Sequence, residues 1–328
     1  MNKFICPLGN KDNICRKNCV KKNIKTRSGA KKILYSCLKY DFQFFNEDPK
    51  KNLINNKLDI SRLYKAGIPI PIPIISEEYR DGLKQSEDYV KKYIKKNDED
   101  QKILEIGCGL GYFLDLIKKK CDNFGLELNI FKKNYVNNKV KIRCESDLSK
   151  YKNIRFKKIF MFYSFEYIYN PYKYLIELKS FLTKNGSIII VTPNKNDVLK
   201  NILGSESYKK FFYEENSINY FSKKSMEVLV KNISFKKHSL FTHQGYSIVN
   251  FINWFLNHSP KKTGYVGEDK YMQFLEENLR TFDKNNNNKD LHVKRKLFKL
   301  FNNCNKEFCQ ILEDFNLGNQ VILELKNS

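Results

Sequence analysis

The stretch from Lys102 to Asn129 constrains the fold of this chain more than any other part of its sequence. It begins with a short apolar run, KILEI, which is typical of a buried strand. Three glycines follow at alternate positions, and an amphipathic segment starts at Tyr112. A second short run, FGLEL at Phe124–Leu128, closes the stretch. Strand, glycine turn, helix and strand form the first half of a nucleotide-binding α/β unit.

The residues around this turn indicate the kind of ligand that it suits. Glycine reaches positive φ without strain and leaves no Cβ in the path of an approaching molecule. The helix start behind the turn leaves backbone N–H groups that point at the ligand. An acid about 20 residues beyond the first glycine suits a ribose, and Glu127 stands there. Glu105 places a carboxylate beside the turn, which disfavours a pyrophosphate and favours a cationic ligand.

The pattern E-x-G-x-G-x-G resembles the first motif of class I S-adenosylmethionine-dependent methyltransferases. In that family the glycine loop holds the methionine part of the cofactor, and the acid after the second strand holds the ribose. The resemblance therefore implies that the cofactor residues are Glu105, Gly107, Gly109, Gly111 and Glu127. On the residues alone, a dinucleotide-binding unit or a purely structural βαβ turn stays open as the alternative.

The strands that follow extend the predicted cofactor site. The segment VKIRCESDL ends a third strand region, and the resemblance implies that Asp147 accepts the adenine amino group while the backbone N–H of Leu148 meets the ring. Glu145 is the competing acid. A fourth strand, Ile159–Tyr163, ends with Tyr163 beside the expected position of the methyl group, where an aromatic face stabilises a sulfonium.

The alternation of strands and helices predicts an α/β fold with a Rossmann-like doubly wound, mostly parallel seven-stranded sheet. A helix is expected at Pro171–Leu182, followed by an Asn185-Gly186 turn and a strand at Ser187–Thr192. The predicted domains are a small cysteine-containing module (1–50), a connector with a leading helix (51–98), the S-adenosylmethionine-binding domain (99–255) and a mainly helical C-terminal extension (256–328).

Two segments near the domain boundaries carry further predictions. Proline at every second position of IPIPIPII, Ile68–Ile75, predicts an extended connector rather than a helix. The final VILELK is expected to add an edge strand to the sheet. Cys304 and Cys309 lie in a segment with helical spacing and are predicted to be buried as small apolar residues.

The candidate catalytic residues follow the fourth strand and the fifth. The order of elements resembles the ubiquinone-pathway-like branch of the family, in which Glu-His follows the fourth strand. Here Glu166 is kept and Tyr167 replaces the histidine. Tyr167 replaces a histidine base only if the pKa of its phenol is lowered from about 10. Glu166 and His243, in a His-Gln-Gly-Tyr segment, are the other candidates for orienting or deprotonating the acceptor.

Four cysteines near the start raise the question of a metal. Four thiolates suit tetrahedral Zn²⁺, although no C-x-x-C pair is present. The segment resembles a small ribbon module found before some sugar-modifying methyltransferases, with Gly9 and Tyr40 where second cysteines would fall. Zinc and metal-free structural cysteines therefore both stay open for Cys6, Cys15, Cys19 and Cys37.

The net charge of the chain indicates which chemical classes of acceptor it could bind. The net charge of +24 is of the kind that favours nucleic acid or another anionic partner. Lysine far outnumbers arginine, however, and arginine reads phosphates and bases better. No Arg-rich arm and no N/D-P-P-Y/F tetrapeptide is present. Nucleic acid is therefore disfavoured as a partner, and a small anionic acceptor is favoured.

The sequence thus predicts a methyltransferase that acts on a sugar, a nucleotide-sugar or a related metabolite of surface-polysaccharide synthesis. An RNA methyltransferase or nucleic-acid-binding protein is one alternative, and a non-catalytic protein of the same fold is another. The longest apolar runs are too short for a membrane span, and the first residues lack a signal-peptide core. A cytoplasmic protein is the resulting expectation.

Overall fold

The computed structural model describes residues 7–8, 19–46, 72–233, 235–257 and 288–327. The strands are β1 (Cys19–Lys25), β2 (Lys31–Cys37), β3 (Phe42–Phe45), β4 (Lys102–Ile106), β5 (Asp122–Leu126), β6 (Arg143–Glu145), β7 (Phe156–Phe162), β8 (Leu182–Pro193), β9 (Asn219–Tyr220), β10 (Lys237–His243) and β11 (Gln320–Lys326). The helices are α1 (Ile72–Tyr93), α2 (Tyr112–Ile117), α3 (Ile130–Tyr135), α4 (Pro171–Ser180), α5 (Val198–Asn201), α6 (Glu206–Phe212), α7 (Lys223–Lys231), α8 (Ile248–Asn257) and α9 (Asn288–Asp314).

The larger sheet has seven strands in the order β10-β11-β8-β7-β4-β5-β6. Pairing is parallel from β8 through β7, β4 and β5 to β6. Within the described part of this sheet, β11 alone runs antiparallel to both of its neighbours, β10 and β8. The predicted doubly wound, mostly parallel seven-stranded sheet is therefore confirmed.

The sheet is buried on both faces by helices. Ile188 and Ile190 of β8 pack into one core layer, whereas Ile189 between them packs into the opposite layer. The first layer includes Leu175 of α4, and the second includes Phe113 of α2. Strands covered on both faces read as near-continuous apolar runs, which explains why these strands were visible in the sequence.

The last strand corrects two predictions. β11 contains the VILELK segment but lies between β10 and β8 rather than at an edge. Four of its residues, Val321, Ile322, Leu323 and Leu325, are at most 1% exposed. The predicted boundary at residue 255 therefore does not separate the sheet from the C-terminal segment, because the chain returns after α9 to complete it.

The Asn185-Gly186 pair is not the turn that the sequence predicts. β8 runs through it, and both residues keep negative or extended φ. The extra length is taken up by an irregularity in pairing, since Phe156 faces Leu182 and Lys158 already faces Ser187. A Cβ on Gly186 would lie 2.9 Å from the Phe156 carbonyl oxygen. The glycine thus permits close approach of two backbones at a bulge.

The proline-rich connector is helical at its end. α1 begins at Ile72 and so includes Pro73, against the prediction of an extended segment through Ile75. Proline is tolerated in the first helical turn because the N–H that it lacks has no partner inside the helix. Lys91 and Lys92 lie in the last turn of α1, where basic side chains interact favourably with the helix dipole. Residues 68–71 lie outside the described ranges.

The N-terminal strands form a second sheet with the order β1-β2-β3-β9. β9 belongs to the segment between β8 and α7, so the small sheet joins the two parts of the chain by backbone hydrogen bonds. The Asp41 carboxylate, in the turn before β3, also accepts from Lys195 Nζ and from Asn196 Nδ2. The predicted module is therefore packed directly against the loop that follows β8.

None of the helices in the described ranges combines the length and the apolar character needed to cross a membrane.

Candidate functional site

The glycine loop lies between the carboxyl end of β4 and the start of α2. Its three glycines take φ values of 73°, 56° and 83°, in the left-handed region that side chains disfavour. A Cβ on Gly107 would stand 2.6 Å from Ser164 Cβ, and the Ser164 hydroxyl donates to the Ile106 carbonyl oxygen at 2.8 Å. Close packing against the segment after β7 thus fixes the conformation of the loop.

Glu127 follows β5 directly and fixes the loop from the other side. Its Oε2 accepts the Gly109 N–H at 2.9 Å, and its Oε1 accepts the Asn129 N–H at 2.8 Å. The predicted strand ended two residues late, because β5 stops at Leu126. A carboxylate offers about four lone-pair positions, so both oxygens keep acceptor capacity toward ribose hydroxyls.

Glu105 lies on β4, directly before the glycine loop. Its side chain is 5% exposed, and its Oε2 has no hydrogen-bond partner among the residues that the structure describes. Burial raises the pKa of Glu105 well above its usual value, and Cys144 and Glu127 raise it further. A buried unpaired carboxyl is costly. A cationic ligand beside the loop would supply the missing partner, so the residues present fit the ammonium group of a bound methionine moiety.

The acid predicted to meet the adenine is exposed and capped locally. The Asp147 carboxylate accepts the Ser149 N–H at 2.9 Å and the Ser149 hydroxyl at 2.8 Å. These hydrogen bonds lower the pKa of Asp147. The next residue, Leu148, is buried. The competing acid, Glu145, is the last residue of β6 and lies 3.3 Å from the Arg143 guanidinium, so of the two only Asp147 is clear of an ion pair in the described part of the chain.

Tyr163 stands at the carboxyl end of β7 in a strained conformation. Its φ of 49° is unusual for a side chain of this size. Its backbone N–H donates to the Val191 carbonyl oxygen at 2.8 Å, and its hydroxyl accepts from Gln320 Nε2. Burial raises the pKa of Tyr163 well above its usual value. Gln320 was missed by the sequence, because it lies 157 residues away with no local motif.

Glu166 is buried beneath the same edge of the sheet. Thr192 Oγ1, near the end of β8, donates to Glu166 Oε2 at 3.1 Å. Burial raises the pKa of Glu166 to about 8, with a further increase from Glu214. A carboxyl group with a pKa near the working pH is suited to proton transfer.

Tyr167 does not meet the condition set for a base. Its hydroxyl donates to Glu214 Oε2 at 2.9 Å. Desolvation of the phenol and the nearby Glu214 and Glu166 carboxylates raise the pKa of Tyr167 well above 10, whereas a base would need it lowered. The residue is 38% exposed, so Tyr167 lies at the rim of the site, and its hydroxyl is hydrogen-bonded to an acid.

His243 is the last residue of β10. Its Nδ1 lies 2.7 Å from Glu313 Oε1, and its side chain is 45% exposed. The strand register places His243 opposite Gln320, and Gln320 opposite Pro193. His243 therefore lies in one row with the ends of β11 and β8, at the same edge of the sheet as the glycine loop.

The cysteines give a partial answer on metal. Cys19 and Cys37 face each other across β1 and β2, and no disulfide joins them. Cys6 and Cys15 lie outside the described ranges. Within those ranges no group of three or more His, Cys, Asp or Glu side chains is placed to hold a metal ion.

A doubly wound sheet with a glycine loop after β4, flanked by the acids Glu105 and Glu127, defines a class I S-adenosylmethionine-dependent methyltransferase. Residues 77–240 match the family model described as a methyltransferase domain, and the chain belongs to this family. The protein is thus an S-adenosylmethionine-dependent methyltransferase. A search of curated proteins found no significant match.

Solved structures of methyltransferases are similar to this chain at low sequence identity. A methyltransferase from Archaeoglobus fulgidus is 14% identical, with a TM-score of 0.46 and coverage of 78% of this chain and 100% of that one. A methyltransferase from Thermotoga maritima is 14% identical, with a TM-score of 0.43 and coverage of 76% and 91%. Coclaurine N-methyltransferase, bound to N-methylheliamine and S-adenosylhomocysteine, is 14% identical, with a TM-score of 0.41 and coverage of 75% and 71%.

Proposed function

We propose that this methyltransferase transfers a methyl group to a sugar, a nucleotide-sugar or a related small anionic metabolite of surface-polysaccharide synthesis. Cofactor and acceptor would meet at the carboxyl ends of β4, β7 and β8. The observation that carries the proposal is the buried Glu105, whose Oε2 has no hydrogen-bond partner in the described part of the chain, beside three glycines with positive φ. The glycines admit a ligand, and the carboxyl supplies a partner for its positive charge.

Each predicted cofactor residue has a distinct role in this proposal. Glu105 would face the methionine ammonium, and Glu127 would accept from the ribose hydroxyls while it holds the Gly109 N–H. Asp147 and the backbone of Leu148 would meet the adenine. The aromatic ring of Tyr163 would lie beside the sulfonium and its methyl group. The bound cofactor supplies an electrophilic methyl group on a sulfonium, and the protein aligns the acceptor with it.

Glu166 is the candidate that takes the proton of the acceptor. Its pKa of about 8 means that the ionised fraction grows as the pH rises through that value. The Thr192 hydroxyl would orient it. His243, at the end of β10, would contact the acceptor. The Glu313 carboxylate, next to its Nδ1, would orient the imidazole ring. Tyr167 would line the rim without acting as a base.

The anionic character of the acceptor is supported by charge. The net charge is +24, and a strongly positive protein attracts anionic molecules over its whole surface. The cysteine module resembles one that precedes sugar-modifying members, which supports a sugar-linked acceptor over RNA.

Methyl transfer from radiolabelled S-adenosylmethionine tests the proposed acceptor class. The panel contains nucleotide-sugars, the free sugars and total RNA. Label on a nucleotide-sugar or a sugar is expected, and the Glu166→Gln variant should lose rate while it keeps cofactor binding. Label on RNA alone, with affinity that falls steeply with salt, would overturn the acceptor class. Cofactor binding without transfer to any acceptor would favour the non-catalytic alternative.

Zinc is a separate question, tested by metal analysis of purified protein. Cys19 and Cys37 lie opposite each other, which suits two ligands of one site if Cys6 and Cys15 complete it. One zinc per chain, lost in the Cys37→Ser variant, would support the site. A metal-free, folded protein would leave the cysteines as structural thiols.

A further inference from the structure

We propose that two copies of this chain associate through α9, packed antiparallel about Cys304. The surface that carries the proposal is a narrow row of exposed apolar residues along this helix, here called the α9 seam. Its members follow one another at spacings of four, three, four, seven and four residues: Val293, Leu297, Leu300, Cys304, Ile311 and Phe315, the last of them one residue past the helix end.

The seam is exposed to a degree that apolar side chains on a surface helix seldom reach together. Exposure is 47% at Leu297, 56% at Leu300 and 50% at Ile311, and 72% at Phe315. Cys304 is also exposed, which corrects the prediction that it is buried. At about 100° per residue, all six members fall within a strip roughly 60° wide, as in a coiled coil.

The seam is not the face by which α9 packs on its own chain. Leu312 is 5% exposed and lies about a quarter of a turn away from it. Phe308 packs edge-on against Phe251 of α8 at a ring distance of 5.1 Å, and Glu313 holds His243. One side of the helix therefore packs on its own chain, and the α9 seam, on a neighbouring side, is left accessible to a partner.

The order of residues along the seam identifies the partner as a second copy. Cys304 is its centre, since Val293 and Phe315 each lie 11 residues from it, and Leu297 and Ile311 each lie 7. An antiparallel pair about Cys304 therefore places Val293 against Phe315, Leu297 against Ile311, and Cys304 against itself, and it sets Leu300 against Phe308, which borders the seam. A two-fold dimer requires this kind of self-complementary surface.

Charge selects the antiparallel arrangement over the parallel one. Lys296 and Asp314 are 18 residues apart, which is five helical turns, so both flank the seam on the same side. In an antiparallel pair each lysine comes within about one turn of the partner's aspartate. In a parallel two-fold pair, equivalent residues lie on opposite sides of the seam, so Lys296 and the partner's Asp314 would not meet and this attraction would be lost.

The first test is the oligomeric state of the full chain under reducing conditions, by sedimentation from about 1 to 100 μM. A dimer is expected, and Leu300→Glu should weaken it at least about tenfold. Lys306→Glu is the matched control, because this exposed residue lies on the opposite side of the helix and its charge change is larger. Unfolding curves should show that both variants fold.

The second test fixes the direction of pairing with single cysteines in a Cys304→Ser background. Under mild oxidation, Leu297→Cys protein mixed with Ile311→Cys protein should form a disulfide-linked pair, whereas neither should link to itself. The charge exchange Lys296→Glu with Asp314→Lys should restore the association that Lys296→Glu alone weakens. A monomer throughout the range, a dimer indifferent to Leu300→Glu, or self-linking of Leu297→Cys would each overturn the proposal. In the monomer case, the chain's own remaining residues would be the alternative cover for the seam.

Discussion

Two buried carboxyl groups, those of Glu105 and Glu166, lie at the edge of the sheet where the cofactor is expected to bind. Glu105 has a buried oxygen without a partner among the described residues, and Glu166 has a pKa raised to about 8. Both are stabilised in their protonated forms by burial, and both lie where a ligand is expected. Strain at Tyr163 belongs to the same edge. Such departures from local rules are expected at a functional site.

The Glu105→Gln variant should separate cofactor binding from folding. The amide keeps the shape but loses the charge, so S-adenosylmethionine affinity should fall by about 1.5–3 kcal/mol, roughly 10–150-fold. Stability should stay equal or rise, because an ionisable group is no longer buried. Calorimetry and thermal unfolding measure the two effects. Glu99→Gln, an exposed acid before β4, is the control, and unchanged affinity in Glu105→Gln would refute the assigned role.

The pH dependence of stability should reveal Glu166. Because its folded pKa is raised from 4.5 to about 8, the native state holds a proton that the unfolded state releases. Its contribution to stability is therefore full below about pH 4.5 and falls as the pH rises toward 8. Chemical denaturation across this range should show a shallower fall in Glu166→Gln than in the unaltered protein. Identical slopes would contradict the raised pKa.

At the scale of elements, the sequence predicts what local pattern determines. β4 and the start of α2 were predicted to the residue, because an apolar run, a glycine turn and an amphipathic segment are all local signals. Gly186 was misread as part of a turn, since the bulge depends on Phe156 from another strand. The Tyr163–Gln320 hydrogen bond and the interior place of β11 depend on pairing across more than 100 residues, which no local pattern records.

The contact of the small sheet with the loop after β8 can be tested at Asp41. The Lys195 ammonium and Asn196 lower the pKa of Asp41 against the opposing effect of its burial. Asp41→Ala would leave the Lys195 side chain, 15% exposed, without this partner. A loss of about 1–3 kcal/mol in unfolding free energy is expected. Asp88→Ala, which breaks an exposed pair with Lys91, should cost less than about 0.5 kcal/mol, and equal losses would contradict the account.

At the scale of the whole molecule, the chain closes its sheet with its last strand. A chain that ends at Phe315 lacks β11 and leaves β8 and β10 without their shared neighbour. It should show no cooperative thermal unfolding, because four side chains at most 1% exposed are lost from the core. A chain that ends at Lys326 keeps the strand and should unfold cooperatively. Cooperative unfolding of the shorter chain would show that β11 is dispensable.

The central claim is that the glycine loop and its two acids bind S-adenosylmethionine. Isothermal titration of the full chain with S-adenosylmethionine and S-adenosylhomocysteine tests it most directly. Binding in the micromolar range is expected, roughly −8 kcal/mol, with loss of binding in Gly109→Arg and Glu127→Ala and normal binding in Glu99→Gln. Absence of binding in a protein that unfolds cooperatively, or binding that survives both loop variants, would contradict the account.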